Sequence, residues 1–353
     1  MTHSQIKIVT VVGARPQFVK AAVLRKRCEA FGVTEVLVHT GQHYDHAMSD
    51  IFFTELGMRP AEYKLDLKNR SHGGMTGEIM AGVEDILIVE KPDWCVVYGD
   101  TNSTLAAALA AAKLHIPVCH IEAGLRSFNK KMPEEVNRIL TDHVSDLLFC
   151  STTAGESHLA NENITKGVHH VGDIMYDAVK MFSKTTPRNE FCTQHQLDPD
   201  QPIVAVTLHR AETVGDADRF AEVLDAVLEA GKGQQLVFPV HPNTLKKSAE
   251  FGLSFDGFTL LEPMSYLEMQ TLLAHSSLVI TDSGGVQKEA YFHGVRCLTM
   301  RDETEWVETI ENGWNRLWTQ PDYLCEPKPI DNYGDGHSVE RILQTLVDHT
   351  PGA

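Results

Sequence analysis

The sequence predicts an α/β protein with two domains, each built around a parallel sheet that helices cover. The chain has 353 residues, which is more than one hydrophobic core usually serves. Short runs rich in β-branched residues alternate with helical patterns in both halves, and this alternation is typical of parallel sheets. Residues 183–202 contain prolines and polar residues without clear periodicity, as a domain linker does.

The first half contains apolar runs that predict strands at 6–12, 35–39, 94–98, 118–122 and 146–150. Helical patterns lie between these strands at 16–30, 74–90, 102–114 and 133–145. The third of these helices is rich in alanine, which suits close packing on a sheet. Pro133 opens the fourth, where proline is favoured because the first helical N–H has no partner within the helix.

The second half repeats the alternation, with predicted strands at 203–208, 235–240, 258–262, 277–282 and 296–300. A last helical pattern covers about 337–349, and the pattern alone does not assign it to either domain. We therefore expect two Rossmann-like domains that face each other across a cleft. Their bounds are 1–182 for the N-terminal domain, 183–336 for the C-terminal domain, and 337–353 for a C-terminal helix that can pack back on the first domain.

The charge balance excludes several classes of partner. With 31 basic and 48 acidic residues, the formal net charge is -17, which repels nucleic acid and anionic membranes. No stretch approaches the ~18 apolar residues of a membrane span, and the N-terminal apolar run is too short for a signal peptide. The seven cysteines are scattered without a C-x-x-C pair, which indicates buried thiols in a reducing compartment. We expect a cytoplasmic protein.

The sequence lacks the patterns of the common metal and cofactor sites. His39, His43 and His46 lie close together, but no cysteine or carboxylate accompanies them at ligand spacing, so we predict no metal. The motifs G-x-G-x-x-G and G-x-x-x-x-G-K-[ST] do not occur, which argues against a dinucleotide cofactor and a P-loop. We predict no cofactor.

Polar residues and glycines follow nearly every predicted strand, where open α/β sheets bind ligands. These residues are Gly13, Arg15, Gly41, Gln42, His43, Asp100, Glu122, His209, Arg210, His241, Asp282, Ser283 and Gly284. Each has a simpler explanation when taken alone, such as a helix cap or a structural histidine. Their coincidence at the strand ends of both halves favours a binding cleft.

The stretch TDSGGVQKEA at 281–290 is the sharpest local signal. A strand runs into Ser283, Gly284 and Gly285, and a helix then begins, so free N–H groups and the helix dipole favour a phosphate. Glu289 can accept hydrogen bonds from ribose hydroxyls. A tight Gly-Gly turn with a serine cap is the alternative.

A charged stretch at 121–138 combines carboxylates with cations. Glu122 ends a strand, and Glu134 and Arg138 lie four residues apart on one helical face, where an exposed ion pair is the simplest explanation. We expect Glu135, together with Lys130 and Lys131, to face solvent. With Asp100 from a neighbouring strand, Glu122 and Glu134 would form a group of three carboxylates beside cations.

The stretches that carry a family resemblance are GARP at 13–16, GDT at 99–101, HIEAGLR at 120–126, PEEVNR at 133–138, HR at 209–210, PVHPN at 239–243, TDSGGVQKEA at 281–290, MRDETE at 300–305 and YGDGH at 333–337. Through them the sequence resembles the non-hydrolysing UDP-N-acetylglucosamine 2-epimerase family over nearly its whole length. The resemblance implies a GT-B fold, a homodimer and a UDP-sugar substrate. It also implies inversion at carbon 2 through loss and return of UDP, as in the interconversion of UDP-GlcNAc and UDP-ManNAc.

The same resemblance implies roles for individual residues. The catalytic positions are Asp100, Glu122, Glu134 and His209. The positions that bind UDP or line the rest of the cleft are Arg15, Lys20, Arg138, His241, Ser283, Gly284, Gly285 and Glu289. Which carboxylate acts as the base on which face of the sugar stays open.

The chain departs from the family pattern at three places. Trp306 replaces an arginine expected near the nucleotide sugar, GARPQ replaces GTRPE, and residues 42–50 lack an arginine of members with a second, allosteric site. These departures resemble the subgroup that acts on UDP-2,3-diacetamido-2,3-dideoxy-glucuronate, so this sugar is the alternative substrate. A GT-B glycosyltransferase, a UDP-sugar sensor and a hydrolysing epimerase are the other functions to be distinguished.

Overall fold

A computed structural model describes residues 6–42, 54–69, 71–183 and 186–350, except for the side chain of Arg15. The chain divides into two compact units. Residues 1–181 and 331–353 form the first, which we call the N-terminal unit, and residues 182–330 form the second, the C-terminal unit.

The described part of the N-terminal unit contains a seven-stranded parallel sheet with the order β3-β2-β1-β4-β5-β6-β7. Its strands are β1 (Ile6–Val12), β2 (Val33–His39), β3 (Tyr63–Lys64), β4 (Trp94–Tyr98), β5 (Val118–Ile121), β6 (Leu147–Cys150) and β7 (Val168–His170). Its helices are α1 (Arg15–Cys28), α2 (His72–Glu90), α3 (Asn102–Lys113), α4 (Pro133–Val144), α5 (Thr153–Asn161) and α6 (Ile174–Phe182), with short 3₁₀ turns at Glu29–Phe31 and Asp331–Tyr333.

The described part of the C-terminal unit contains a six-stranded parallel sheet with the order β10-β9-β8-β11-β12-β13. Its strands are β8 (Ile203–Thr207), β9 (Gln235–Pro239), β10 (Phe258–Leu261), β11 (Ser276–Thr281), β12 (Cys297–Thr299) and β13 (Asn315–Leu317). Its helices are α7 (Arg188–Gln194), α8 (Ala211–Val214), α9 (Ala217–Ala230), α10 (Pro242–Phe251), α11 (Tyr266–His275), α12 (Gly284–Phe292) and α13 (Val307–Glu311). The predicted α/β class with parallel sheets is confirmed.

The last helix, α14 (Ser338–His349), belongs to the N-terminal unit. Asp177 of α6 accepts hydrogen bonds from the backbone N–H groups of Ser338 and Val339 at 3.1 and 2.8 Å. A carboxylate at this position satisfies free N–H groups of the helix and complements its dipole. The side chains of Ile342, Leu343 and Leu346 are fully buried.

Apolar side chains of the strands and of the covering helices form the cores. In the N-terminal unit, Val9, Val11 and Val97 of the sheet pack with Ile79 and Val83 of α2. In the C-terminal unit, Val204, Val206 and Phe238 pack with Phe220 and Val223 of α9. Each of these side chains contributes about 1.5–3 kcal/mol when it is fully buried.

Strand order reverses once in each sheet, between β1 and β4 in the first and between β8 and β11 in the second. At such a switch point the connections leave in opposite directions and open a crevice beyond the carboxyl ends of the strands, where ligands of doubly wound sheets bind. The chain segments that start at Gly13, Gly99, Leu208 and Asp282 follow these four strands.

Candidate active site

In the N-terminal unit, Gln17 joins the two loops at the switch point. Its Oε1 accepts hydrogen bonds from the N–H groups of Gly13 and Ala14 at 2.7 and 3.0 Å, and its Nε2 donates to the carbonyl of Tyr98 at 2.7 Å. Gly13 lies so close to α3 that an added Cβ would come within 2.1 Å of Ser103 Oγ. The beginning of α1 is therefore tied directly to the end of β4.

Glu122 follows β5 and forms an ion pair with Lys20 of α1. The side chain of Lys20 is 7% exposed and that of Glu122 is 12% exposed, so the pair is mostly screened from water. Glu122 has a backbone φ of 73°, which is the left-handed region that residues other than glycine seldom adopt. The backbone N–H of Glu122 donates to the carbonyl of Phe149 at 3.0 Å, which helps to hold this conformation.

Asp100 follows β4 and forms an ion pair with Arg138 of α4. Gly99, directly before it, adopts φ 59° and donates its N–H to the carbonyl of Ile121. Partial burial raises the pKa of Asp100 above its ordinary value; the cation of Arg138 opposes this rise, and the Glu122 carboxylate adds to it. The first loop of the site thus carries a carboxyl group suited to proton exchange.

Helix α4 holds both the backbone and the side chain of Asp100. The Nδ2 of Asn137 donates to the Asp100 carbonyl at 2.9 Å. The guanidinium of Arg138 contacts the carboxylates of Asp100 and Glu135, and its Nε donates to the backbone carbonyl of Glu134 at 3.3 Å.

In the C-terminal unit, Asp282 organises the ends of β8 and β11. Its fully buried carboxylate accepts hydrogen bonds from the backbone N–H groups of His209 and Arg210, both at 2.9 Å. The Nδ1 of His209 lies 3.3 Å from Asp282 Oδ1, and 49% of the His209 side chain is exposed. The imidazole therefore lies beside a buried carboxylate and remains half exposed.

The start of α12 follows β11 and lies beside the loop after β8, which carries His209. Ser283 precedes the helix and makes no side-chain capping hydrogen bond, and Gly284 begins it. A Cβ on Gly284 would come within 2.3 Å of Glu305 Oε1 and 3.4 Å of Trp306 Nε1. The first turn of α12 is thus closely packed against the side chains of Glu305 and Trp306.

Trp306 packs against this helix. Its side chain is buried, the Lys288 ammonium lies 3.8 Å from the centroid of its ring, and its Nε1 has no hydrogen-bond partner among the described residues. An arginine, as the resemblance led us to expect here, would bring a charge to this place, whereas the indole of Trp306 brings an apolar surface with one N–H donor.

A comparison with protein families matches residues 26–347 to the family described as UDP-N-acetylglucosamine 2-epimerase. The chain belongs to the UDP-N-acetylglucosamine 2-epimerase family. The predicted family is confirmed. The candidate site described above, at the ends of β4, β5, β8 and β11, thus belongs to a member of this family.

Curated relatives cover almost the entire chain. The UDP-2,3-diacetamido-2,3-dideoxy-D-glucuronate 2-epimerase of Pseudomonas aeruginosa is 47% identical over 97% of this chain and 99% of its own. A UDP-N-acetylglucosamine 2-epimerase homolog of Methanococcus maripaludis is 45% identical with the same coverage. The UDP-N-acetylglucosamine 2-epimerase of Methanocaldococcus jannaschii is 37% identical, also over 97% and 99%.

Solved structures of the family have the same fold. The M. jannaschii UDP-GlcNAc 2-epimerase in complex with UDP-GlcNAc and UDP gives a TM-score of 0.85 at 35% identity, covering 97% of this chain and 100% of that one. The Neisseria meningitidis UDP-GlcNAc 2-epimerase bound to UDP-GlcNAc gives 0.86 at 30% identity, covering 98% and 100%.

The structure of this epimerase brings four of the predicted site residues together in the N-terminal unit. Lys20, Asp100, Glu122 and Arg138 form two neighbouring ion pairs there. His241 is exposed and its Nδ1 accepts a hydrogen bond from the N–H of Asn243 at the start of α10, and the side chain of Arg15 lies outside the described part.

The expectation that Glu135 faces solvent is wrong. Only 1% of its side chain is exposed, and its carboxylate accepts hydrogen bonds from Ser127 N, Ser127 Oγ and Phe128 N at 2.8, 2.9 and 2.8 Å. Burial acts to raise the pKa of Glu135, but these hydrogen bonds outweigh it and hold the pKa below its ordinary value. Glu134, in contrast to Glu135, is exposed. Lys130 and Lys131 face solvent, as expected.

The predicted pairing of Glu134 with Arg138 is also wrong. Arg138 turns its guanidinium toward Asp100 and Glu135 and reaches Glu134 through the backbone carbonyl. The arginine is attracted to the more buried carboxylates because Coulomb attraction is less screened there.

The sequence interpretation did not identify four residues that organise the site: Gln17, His120, Asn137 and Asp142. Each is a buried polar side chain, and buried polar groups need hydrogen-bond partners. For Gln17, His120 and Asn137, their positions within GARPQ, HIEAGLR and PEEVNR were the available signal. These motifs do not state which member contacts substrate and which member holds the backbone, and Asp142 lies outside all three.

The described residues include neither a cluster of metal ligands nor a membrane span. The described residues contain no group of three or more His, Cys, Asp or Glu side chains arranged for a metal ion. His43 and His46 lie outside the described residues. In the described ranges, each helix falls short of the length and apolarity that crossing a bilayer requires.

Proposed function

We propose that this chain is a non-hydrolysing UDP-sugar 2-epimerase that interconverts UDP-GlcNAc and UDP-ManNAc for surface polysaccharide biosynthesis. The observation that carries the proposal is the pair of carboxylates, Asp100 and Glu122, at the ends of neighbouring strands, each beside a cation. A sensor of UDP-sugars needs no such pair. Membership of the family supports the same activity.

The proposed reaction is an elimination followed by an addition. A base removes the proton from carbon 2 while the bond between carbon 1 and the UDP oxygen breaks, which leaves 2-acetamidoglucal and UDP. UDP then adds back to carbon 1 as a proton returns to the opposite face of carbon 2. Asp100 suits the proton transfer because its raised pKa brings it closer to neutrality. Glu122 faces the positive charge that develops on the sugar.

The C-terminal unit supplies the groups for the departing UDP in this proposal. The N–H groups of Ser283, Gly284 and Gly285 and the dipole of α12 stabilise the diphosphate. His209, oriented by Asp282, helps UDP to leave by donating a hydrogen bond to it, and Glu289 binds the ribose. These interactions strengthen as negative charge builds on the diphosphate, so they favour the transition state over bound substrate.

The other predicted positions have supporting roles. Arg15 and His241 bind the nucleotide sugar, and Lys20 and Arg138 keep Glu122 and Asp100 oriented. Glu134 provides a third carboxylate from the first turn of α4, where its exposure leaves it free to approach a ligand. The reaction needs no cofactor, because the proton and the UDP group are returned to the same sugar.

UDP-2,3-diacetamido-2,3-dideoxy-glucuronate is the second candidate substrate. The relative that is named for this sugar is more similar to the chain than the relative from M. jannaschii that is named for UDP-GlcNAc. Trp306, where an arginine was expected, is the sequence feature that points to the same subgroup. Both candidates share the UDP group, the 2-acetamido substituent and the acidic proton on carbon 2.

The setting is part of the proposal. All seven cysteines are unpaired, which fits a reducing cytoplasm where UDP-sugars are made.

We also propose a homodimer. Helix α4 supports this because Val136 and Leu140 are 40% and 45% exposed on a helix whose buried face is polar.

Exchange of the carbon 2 proton with solvent tests the proposed function. The protein is incubated with each candidate UDP-sugar in deuterated water and the sugar is followed by NMR. Deuterium at carbon 2 together with the second epimer is expected for the true substrate. Net release of free sugar would instead indicate a hydrolysing epimerase, and no exchange with either sugar would refute the epimerase.

Two variants connect the exchange to the carboxylates. Asp100→Asn and Glu122→Gln are expected to lower the exchange rate by about 10²–10⁴-fold, as removal of a general acid or base does, while UDP still binds. Lys130→Gln, on the exposed loop before α4, is the matched control and should exchange like the wild type. Wild-type rates in both carboxylate variants would contradict the assigned roles.

A further inference from the structure

A buried histidine and a buried aspartate lie directly behind the loops that carry Asp100 and Glu122. His120 of β5 is fully buried, and Asp142 of α4 is 1% exposed. The Nδ1 of His120 lies 2.7 Å from Asp142 Oδ1, and its Nε2 lies 2.7 Å from the carbonyl oxygen of Gly99. The imidazole thus bridges a helix carboxylate and the backbone of the residue before Asp100.

The hydrogen-bond partners determine the protonation of this pair. Burial acts to raise the pKa of Asp142, but His120 and the cation of Arg126 outweigh it and hold this pKa below its ordinary value. Asp142 is therefore a carboxylate. Because a carboxylate and a carbonyl oxygen can only accept hydrogen bonds, both ring nitrogens of His120 must carry a proton. His120 is a buried imidazolium that donates in two directions.

The other oxygen of Asp142 reaches the second loop. Asp142 Oδ2 accepts hydrogen bonds from Gly124 N at 3.2 Å and from an Arg126 guanidinium nitrogen at 2.7 Å. Gly124 has φ 79° and a Cβ there would come within 2.4 Å of the Gly155 carbonyl, so this turn has little freedom. One carboxylate therefore anchors the turn after Glu122 and, through His120, the turn before Asp100.

We propose that His120 and Asp142 are positioning residues of the epimerase, which hold the two catalytic carboxylates at a set separation from each other. The inference rests on the proposed function, since it concerns the placement of Asp100 and Glu122. Both hydrogen bonds of His120 are needed, because together they complete the chain of contacts that leads from the Glu122 loop to the Asp100 loop.

Two substitutions each remove one of the two contacts and keep a buried polar group. In His120→Gln the amide nitrogen takes the place of Nε2, so a donor for Gly99 remains and the donor for Asp142 is lost. In His120→Asn the amide nitrogen takes the place of Nδ1, so a donor for Asp142 remains and the donor for Gly99 is lost. Because each variant breaks the bridge, the proposal predicts that both lower kcat for carbon 2 exchange by about 10–100-fold, as small misplacements of catalytic groups do.

The KM for the UDP-sugar should stay within about twofold in both variants, because the proposed nucleotide contacts are made elsewhere. His170→Asn is the matched control, since His170 of the same unit also contacts a backbone carbonyl, that of Asn332, through Nε2 at 2.7 Å. It should keep the wild-type kcat. Wild-type kcat in either His120→Gln or His120→Asn would overturn the proposal.

A measurement on the wild type covers the case in which a His120 variant does not fold. With ¹⁵N-histidine labelling, both ring nitrogens of one buried histidine should show attached protons at the pH of the exchange assay. A neutral His120 with a single ring proton would overturn the proposed two-way bridge. Wild-type protein that exchanges no carbon 2 proton would instead refute the proposed function, and the NMR result would still decide whether the bridge exists.

Discussion

At the scale of single residues, the backbone of Glu122 is the most unusual feature of the site. A left-handed conformation costs an L-residue about 1–2 kcal/mol, and Glu122 adopts it with φ 73°. Its ion pair with Lys20 and the hydrogen bonds that the N–H groups of Glu122 and Ala123 donate to Phe149 compensate for this cost. Such local strain is typical of functional sites, and glutamate has no turn preference from which the sequence could have predicted it.

A second residue, Glu35 of β2, makes the stability of the N-terminal unit depend on pH. Its side chain is 1% exposed and lies 3.5 Å from Arg25 Nε. Burial raises the pKa of Glu35 to about 7, although Arg25 opposes the rise and Glu62 adds to it. The folded-state pKa thus exceeds the ordinary value of 4.5, so the protonated form is favoured by folding. The resulting contribution of Glu35 to the free energy of unfolding is fully present below pH 4.5 and is lost as the pH rises to about 7.

The variant Glu35→Gln tests this dependence. It cannot ionise, and Arg25 retains Glu62 as a partner, so we expect the variant to gain stability over the wild type as the pH rises from 4.5 to 7. The gain has an upper limit of about 3 kcal/mol, from the size of the pKa shift. Chemical denaturation of both proteins between pH 4.5 and 8 measures it. A difference that does not change with pH, as expected for the exposed Glu29→Gln control, would contradict the prediction.

At the scale of elements, the first turn of α12 offers a direct test of the proposed diphosphate site. A methyl group at position 284 would meet the far end of the flexible Glu305 side chain, so Gly284→Ala should fold and should even gain helix propensity of up to about 1 kcal/mol. The same methyl group would stand between a diphosphate and the N–H groups of the turn. Loss of one or two charge-assisted hydrogen bonds, at about 1.5–3 kcal/mol each, should weaken UDP binding by at least about tenfold.

Calorimetric titration with UDP and thermal unfolding measure these two effects separately. Gly77→Ala in α2 is the matched control, because a Cβ there has open space around it and the same helix propensity is gained. Unchanged UDP affinity in Gly284→Ala would show that UDP does not bind at this helix terminus.

The sequence predicted the long strands of the two sheets better than the short ones. Strands such as β1 and β4 have the predicted bounds, because a strand buried on both faces is apolar at most positions. The sequence interpretation did not include β3, β7 and β13, which are two or three residues long and lie at sheet edges. Such short segments are strands only because a longer neighbour pairs with them.

At the scale of the whole molecule, helix α4 links the site to the proposed homodimer. Its inner face carries Asn137, Arg138 and Asp142, which contact the loops of the site. Its outer face exposes Val136 and Leu140. An apolar face in water is favourable only when something covers it, and a second copy of the chain would do so.

Replacing Leu140 with lysine tests this assembly. We expect the wild type to sediment as a dimer at micromolar concentration and Leu140→Lys to sediment as a monomer, because a charge would be buried at the interface. Leu260→Lys in the C-terminal unit is the control, since Leu260 is similarly exposed at 39%, and it should remain a dimer. A monomeric wild type would refute the proposed homodimer, and dimeric Leu140→Lys would exclude this helix face from the interface.

The sequence by itself determined the fold class and the family, and it pointed to the strand ends where we propose that the site lies. It did so because alternating strands and helices build parallel sheets, and because such sheets bind ligands at their carboxyl ends. Only the tertiary structure decided which of the adjacent residues Glu134 and Glu135 is buried, which carboxylate Arg138 contacts, and what lies behind Asp100 and Glu122. These outcomes depend on contacts between residues far apart in the chain, such as His120 with Asp142 and Arg138 with Asp100, and no local pattern specifies them.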